Sequence, residues 1–144
     1  MSPPLLSRLL IPVAVIAINA STVAASSGVS PAAAIAVQLS PSLTGLTDFT
    51  SLSDPEHLLG LPGQYIAKAQ FEDANQVTGI VEVFAYPDDF NARLSTLEFA
   101  VTSQEVDVSA PNSKVIVRLF SQDADARGRA LNFYSSVMAS IGLT

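Results

Sequence analysis

The chain of 144 residues has room for one ordinary domain, and its lack of cysteine excludes disulfide scaffolds, thiolate metal sites, thiol nucleophiles and a lipid-modified bacterial lipobox together. Its formal charge is −6, with 13 acidic residues, all at or beyond Asp48, against seven basic ones. Losing the first 25 residues would remove one basic residue, Arg8, leaving an acidic body that repels polyphosphate, so nucleic acid is not an expected partner.

The chain opens with Arg8, an apolar run from Leu9 to Ile18, then small and polar residues ending in Val23-Ala24-Ala25. That order describes a secretory signal, with cleavage expected after Ala25. The run is short for a membrane span, which takes about 20 apolar residues. The wider stretch from Leu5 to Ala25 is polar only at Ser7, Arg8, Asn19, Ser21 and Thr22, and also fits an uncleaved anchor. Both readings place the body outside the cytoplasm, secreted or in the cell envelope, with membrane contact only through this N-terminal segment. Residues 26–52, rich in Ser, Thr, Ala, Leu and Pro, suit a flexible or partly ordered linker, with Ala32 to Leu39 as an apolar patch able to pack on the domain. The domain itself is expected over 53–144.

Ser53-Asp54-Pro55-Glu56 reads as a capped helix start, closed by Gly60, and Leu61-Pro62-Gly63-Gln64 as a type II turn. From Gln64 to Asp73 the residues alternate, Tyr65, Ala67, Ala69 and Phe71 against Ile66, Lys68, Gln70 and Glu72, which is the period of a half-buried strand. A second strand, Ile80 to Tyr86, completes a hairpin with Val81, Val83 and Ala85 inward. Pro87 stops it. Asp88 and Asp89 then open a helix whose stripe is Phe90, Leu94, Leu97 and Val101; they are read as helix-start residues, not as a catalytic carboxylate pair. Lys114 to Phe120 is a third strand, and Asp123 to about Ile141 a final helix buried through Ala130, Tyr134, Val137, Met138 and Ile141. The expected fold is α+β: a short helix, then β-β-α-β-α order, giving a three-stranded sheet with both longer helices on one face and a right-handed parallel crossover between the second and third strands.

Chemistry is scarce in this pattern. The sole histidine, His57, beside Glu56, lacks a cysteine or a serine in a nucleophile-elbow setting. Glu72 to Gln76 departs from a calcium-loop spacing, and phosphate-loop and dinucleotide fingerprints are missing. No catalytic, cofactor or metal residues are therefore assigned, and no cofactor is expected. The candidate partner surface is the sheet side opposite the core, carrying Ile66, Lys68, Phe84 and Tyr86 with Ile116 and Phe120, together with the turn residues Pro62 and Gln64. Its alternative is burial beneath the Ala32 to Ser53 segment.

The stretches "HLLGLPGQYIAKAQFED" and "GIVEVFAYPDDFNARL" resemble a group of small secreted or lipid-anchored envelope proteins of mycobacteria and related actinobacteria, mostly uncharacterised. The matching residues are Leu59, Gly60, Pro62, Gly63, Gln64 and Tyr65, then Glu82, Val83 and Phe84. The resemblance implies an exported envelope protein and brings no catalytic set; the lipobox cysteine that many such proteins carry is missing here. The expected function is non-enzymatic binding of an envelope protein or lipid-like ligand. The alternatives are a membrane-tethered structural or inhibitory protein and a small extracellular hydrolase using His57.

Overall fold

The computed structural model describes residues 29–50, 53–56, 65–99 and 104–144. The signal segment with Ala25, and also His57, Pro62, Gln64 and Val101, lie outside the described residues. The first helix, α1 (Pro31–Leu39), begins where Ser30 accepts a hydrogen bond from the Ala33 amide at 3.1 Å and Pro31 takes the first position, where its missing N–H is not needed. Small residues let α1 lie close on the sheet, and Ala32, Ala36 and Leu39 are sealed from solvent.

Five strands follow: β1 (Leu43–Asp48), β2 (Ala67–Asp73), β3 (Thr78–Val83), β4 (Glu105–Ala110) and β5 (Val115–Phe120). They form one sheet in the order β1-β2-β3-β5-β4, antiparallel throughout. Helix α2 (Pro87–Phe99) joins β3 to β4, and helix α3 (Ala124–Ser140) follows β5. One sheet face carries Ala67, Ala69, Phe71, Val81, Val83, Val117 and Leu119 against α1 and the Ala130, Tyr134 and Met138 stripe of α3. The other face carries a smaller cluster of Tyr65, Phe84 and Ile116 against Phe90 and Leu97 of α2. The sheet is thus sandwiched between helices.

The α+β class holds, while several finer expectations are corrected. Two strands join the expected three. β1 and α1 fall in the stretch expected to be a linker and are built into the sheet and its core; their signals are a Ser-Pro cap and a short strand that is mostly exposed. β4, "EVDVSA", alternates polar and apolar residues, yet the sequence reading assigns no element there. Because the chain leaves α2 into edge strand β4 and returns through β5, the second and third expected strands are antiparallel neighbours and no parallel crossover forms. Nor do the long helices share a face: Phe90 and Leu97 of α2 pack on the side away from α3.

Other local expectations are met or refined. Asp88 and Asp89 sit in the first turn of α2, one place inside Pro87, where the helix dipole favours their charge. Asp123 caps α3 by accepting from the Asp125 amide at 3.0 Å. Ser53 does not cap Glu56; its hydroxyl takes the Thr50 amide, and the Glu56 amide donates to Asp54 Oδ1 at 3.1 Å instead.

The two edges are guarded differently. β1 breaks its register between Leu43 and Gly45, a bulge that spoils a flat docking edge. In β4, Glu105 and Asp107 turn their acidic groups in over the sheet, which penalises pairing with another chain.

Candidate functional site

The face expected to be a partner surface is instead a buried ionic layer. β2, β3 and β5 each place one charged residue centrally on that side, Lys68, Glu82 and Arg118, and Lys68 stands directly opposite Glu82 in the sheet register. All three are buried. Arg93, one turn after Phe90 on α2, donates Nε to Glu82 Oε1 at 3.0 Å and Nη2 to Glu82 Oε2 at 3.0 Å, a two-pronged pairing that fixes the helix on the sheet. Arg118 Nη1 donates to the same Oε2 at 3.0 Å, while its Nε reaches Glu105 Oε2 at 2.9 Å. From above, the 53–56 turn closes the layer: Asp54 Oδ1 takes Lys68 Nζ at 2.9 Å, and Glu56 Oε1 takes Lys68, Arg93 at 3.1 Å and Arg118 at 3.0 Å.

Burial raises the pKa of Glu56, but the Lys68 hydrogen bond and the charges of Arg118, Lys68 and Arg93 outweigh it and hold the carboxyl near 2. Burial would discharge Arg93 and Arg118; the hydrogen bonds to Glu82 and Glu105 respectively, with the surrounding carboxylates, drive both pKa values above the ordinary range. Three cations thus face Asp54, Glu56, Glu82, Glu105 and Asp107, and the layer has more acids than bases. Asp107 absorbs the imbalance. Burial first, then the hydrogen bond and charge of Glu105, raise its carboxyl to about 7, and its Oδ1 is buried without a hydrogen-bond partner. The Tyr65 hydroxyl is likewise buried and unpartnered, and burial together with the Glu82 charge raises its pKa.

A buried ion network contributes little net stability compared with a well-packed apolar core, yet removing one member strands the others at a cost of about 3–5 kcal/mol. It therefore specifies how α2 and the 53–56 turn dock. Of the expected surface residues, Lys68 and Phe84 are interior, while Ile66 and Tyr86 are exposed. Ile116 is also interior, and the aromatic patch does not form. The cover is α2 with the 53–56 turn; of the Ala32 to Ser53 segment, α1 packs on the other face, while Phe49 lies on this one with Lys68 Nζ 5.7 Å from its ring centre.

An open cleft of about 510 Å³ lies between the β2–β3 turn and α3. Its wall is Asp73, whose Oδ1 accepts the amides of Asn75 at 2.8 Å and Val77 at 3.1 Å and whose Oδ2 accepts the Tyr134 hydroxyl at 2.6 Å. The Ala74 amide goes to Ser42 and that of Gln76 to the Asp73 carbonyl, so the turn amides from Ala74 to Val77 are all engaged. Gln76 holds the turn with a positive φ of 62°. Arg129 and Phe133 of α3 flank the opening. Arg129 is exposed and makes no ion pair among the described residues; the i, i+4 partner that its spacing suggests, Asp125, is not engaged. Phe133 is 45% exposed, its ring edge-on to Tyr134 at 5.0 Å.

Sequence reasoning placed Tyr134 in the core and Glu72 to Gln76 at a hairpin tip but missed the cleft between them. Its signal was faint: Phe133 falls beside, not on, the apolar stripe of α3. The ionic layer had one local signal, the single charge of Arg118 within the otherwise apolar "VIVRLF" of β5. Among the described residues, no cluster of His, Asp or Glu has metal-binding geometry, and no helix is long and apolar enough to cross a membrane. No family model, curated protein or solved structure matches the chain.

Proposed function

We propose that this is an exported, non-enzymatic binding protein of the cell envelope and that it holds its partner at the cleft between the β2–β3 turn and α3. The resemblance to actinobacterial envelope proteins and the signal-like N-terminus support the location. The observation that carries the binding role is the contrast between the two charged regions: cations of the ionic layer are consumed by neighbouring carboxylates, whereas Arg129 stands uncommitted beside an exposed aromatic ring at an opening of ligand size. The interaction surface thereby moves from the sheet face to the first half of α3. Capture of envelope components by the full chain, compared with its Phe133→Ser variant, tests this. Loss of capture with an unchanged unfolding transition supports the cleft; equal capture by both refutes it.

One observation favours a second reading. Glu105 is held below and Asp107 above the ordinary carboxyl range, the division of labour that an acid–base pair needs. A hydrolase would then centre on β4, not on His57. The binding reading is preferred because Arg118 ties Glu105 into the layer at 2.9 Å, which gives the pair a structural cause. Hydrolysis of generic ester or glycoside substrates that disappears in Asp107→Asn would reverse that preference.

A further inference from the structure

Taking the cleft as a binding site, we propose that its ligand is a small monocarboxylate with an apolar body, the carboxylate held by Arg129 and the body lying against Phe133. The chemistry follows from what is already committed. Asp73 has both oxygens engaged and serves as wall, fixed by Tyr134 and the turn amides, so it does not offer itself to a cation. With the turn amides engaged as well, Arg129 is the strong donor left at the opening, and a guanidinium pairs best with a planar two-oxygen anion.

Charge count narrows the anion. Asp123 and Asp125 stand at the start of the same helix, and the chain is acidic as a whole, so a ligand carrying several negative charges meets repulsion that a single carboxylate largely escapes. The rest of the opening is apolar or weakly polar: Ala126 and Ala130 set a shallow floor beside the Phe133 ring, and Asn75 and Gln76 bring amides to the opposite rim. A volume of about 510 Å³ suits a medium acyl chain or an aromatic acid, not a folded partner.

The test is a titration of the full chain, followed by amide chemical shifts, with three probes of equal length: octanoate, octanol and octylammonium. Saturable octanoate binding that moves Asn75, Gln76 and the Arg129 to Phe133 turn of α3 is expected. Affinity should fall about tenfold or more in Arg129→Gln, recover in part in Arg129→Lys, and fall in Phe133→Ala. Arg129 is exposed and Phe133 half so, and an unchanged unfolding transition checks that these variants fold. If octanol or octylammonium binds the cleft as well as octanoate does, or Arg129→Gln binds unchanged, the carboxylate inference is overturned and the cleft remains a binding site. If none of the probes moves the cleft residues, the inference and the binding site at the cleft fail together.

Discussion

Replacing Asp107 by Asn should stabilise the protein at neutral and alkaline pH and leave it nearly unchanged in mild acid. In the folded chain the Asp107 carboxyl titrates at about 7, against an ordinary 3.8. Below 3.8 both states carry the proton, and Asp107 costs the fold nothing. Between 3.8 and 7 the folded state alone holds the proton, so stability falls as pH rises, levelling off once folded Asp107 ionises. A shift of that size, at 1.36 kcal/mol per pKa step, sets a ceiling of about 4 kcal/mol; Asp107 is only half-buried, and solvent screening reduces this to about 2 kcal/mol. Asparagine has the same shape, stays neutral at every pH and can still donate a hydrogen bond to Glu105. Urea unfolding followed by tyrosine fluorescence, at intervals from pH 4 to pH 8.5, should show the two proteins together at the acid end and the variant about 2 kcal/mol more stable at the other. A difference that does not grow with pH, or a variant less stable at pH 8, would refute the assignment of the proton to Asp107.

Glu56→Gln should lose about 1–2 kcal/mol at pH 7 in the same assay, scaled down because the side chain is 35% exposed, and it should flatten the acid limb between pH 4.5 and 2, where folded Glu56 alone is ionised. Gly79→Ala should destabilise by about 2–3 kcal/mol, because a Cβ there falls inside the ring of buried Phe71, which is itself braced by Tyr134 at 5.6 Å; a second change, Phe71→Leu, should recover part of the loss. Gly128→Ala, where nothing lies within 4 Å of the new methyl, should instead gain about 0.5–1 kcal/mol in thermal unfolding. Tyr134→Phe should cost about 1–2 kcal/mol, since Asp73 keeps two amide donors but loses its hydroxyl partner.

The legible parts of this fold were those where one residue type had one job. Alternation in β2 and the Ala130, Tyr134, Met138 spacing in α3 reported a buried face directly, and Asp123 announced its helix. What failed was the inference from charge to solvent. Lys68, Glu82 and Arg118 have the spacing of outward residues, yet each is neutralised by partners from outside its own strand: Glu56, Arg93 and Glu105 lie 12, 11 and 13 residues away, and Glu56 to Arg118 spans 62. Such pairings are set by tertiary contact and leave no local pattern. β4, which alternates polar and apolar residues, was assigned no element from sequence, and without it α2 was expected on the same face as α3. Ser30-Pro31 was a readable helix start set in a stretch whose composition resembles a tether. The cleft was illegible for another reason: Arg129 is informative only through the absence of a partner, which needs coordinates to see.

The five-stranded sheet divides two unlike solvents. Behind one face lies hydrocarbon, whose cohesion weakens with cooling and with urea and is largely indifferent to ions. Behind the other, beside the Phe84 and Phe90 cluster, lies something closer to a small salt crystal, sensitive to protons, and at its rim near Glu56 to dissolved electrolyte. A change of acidity or ionic strength, as in passing from one compartment to another, would thus loosen α2 and the 53–56 turn while leaving the α1–α3 side, and the cleft at its end, in place.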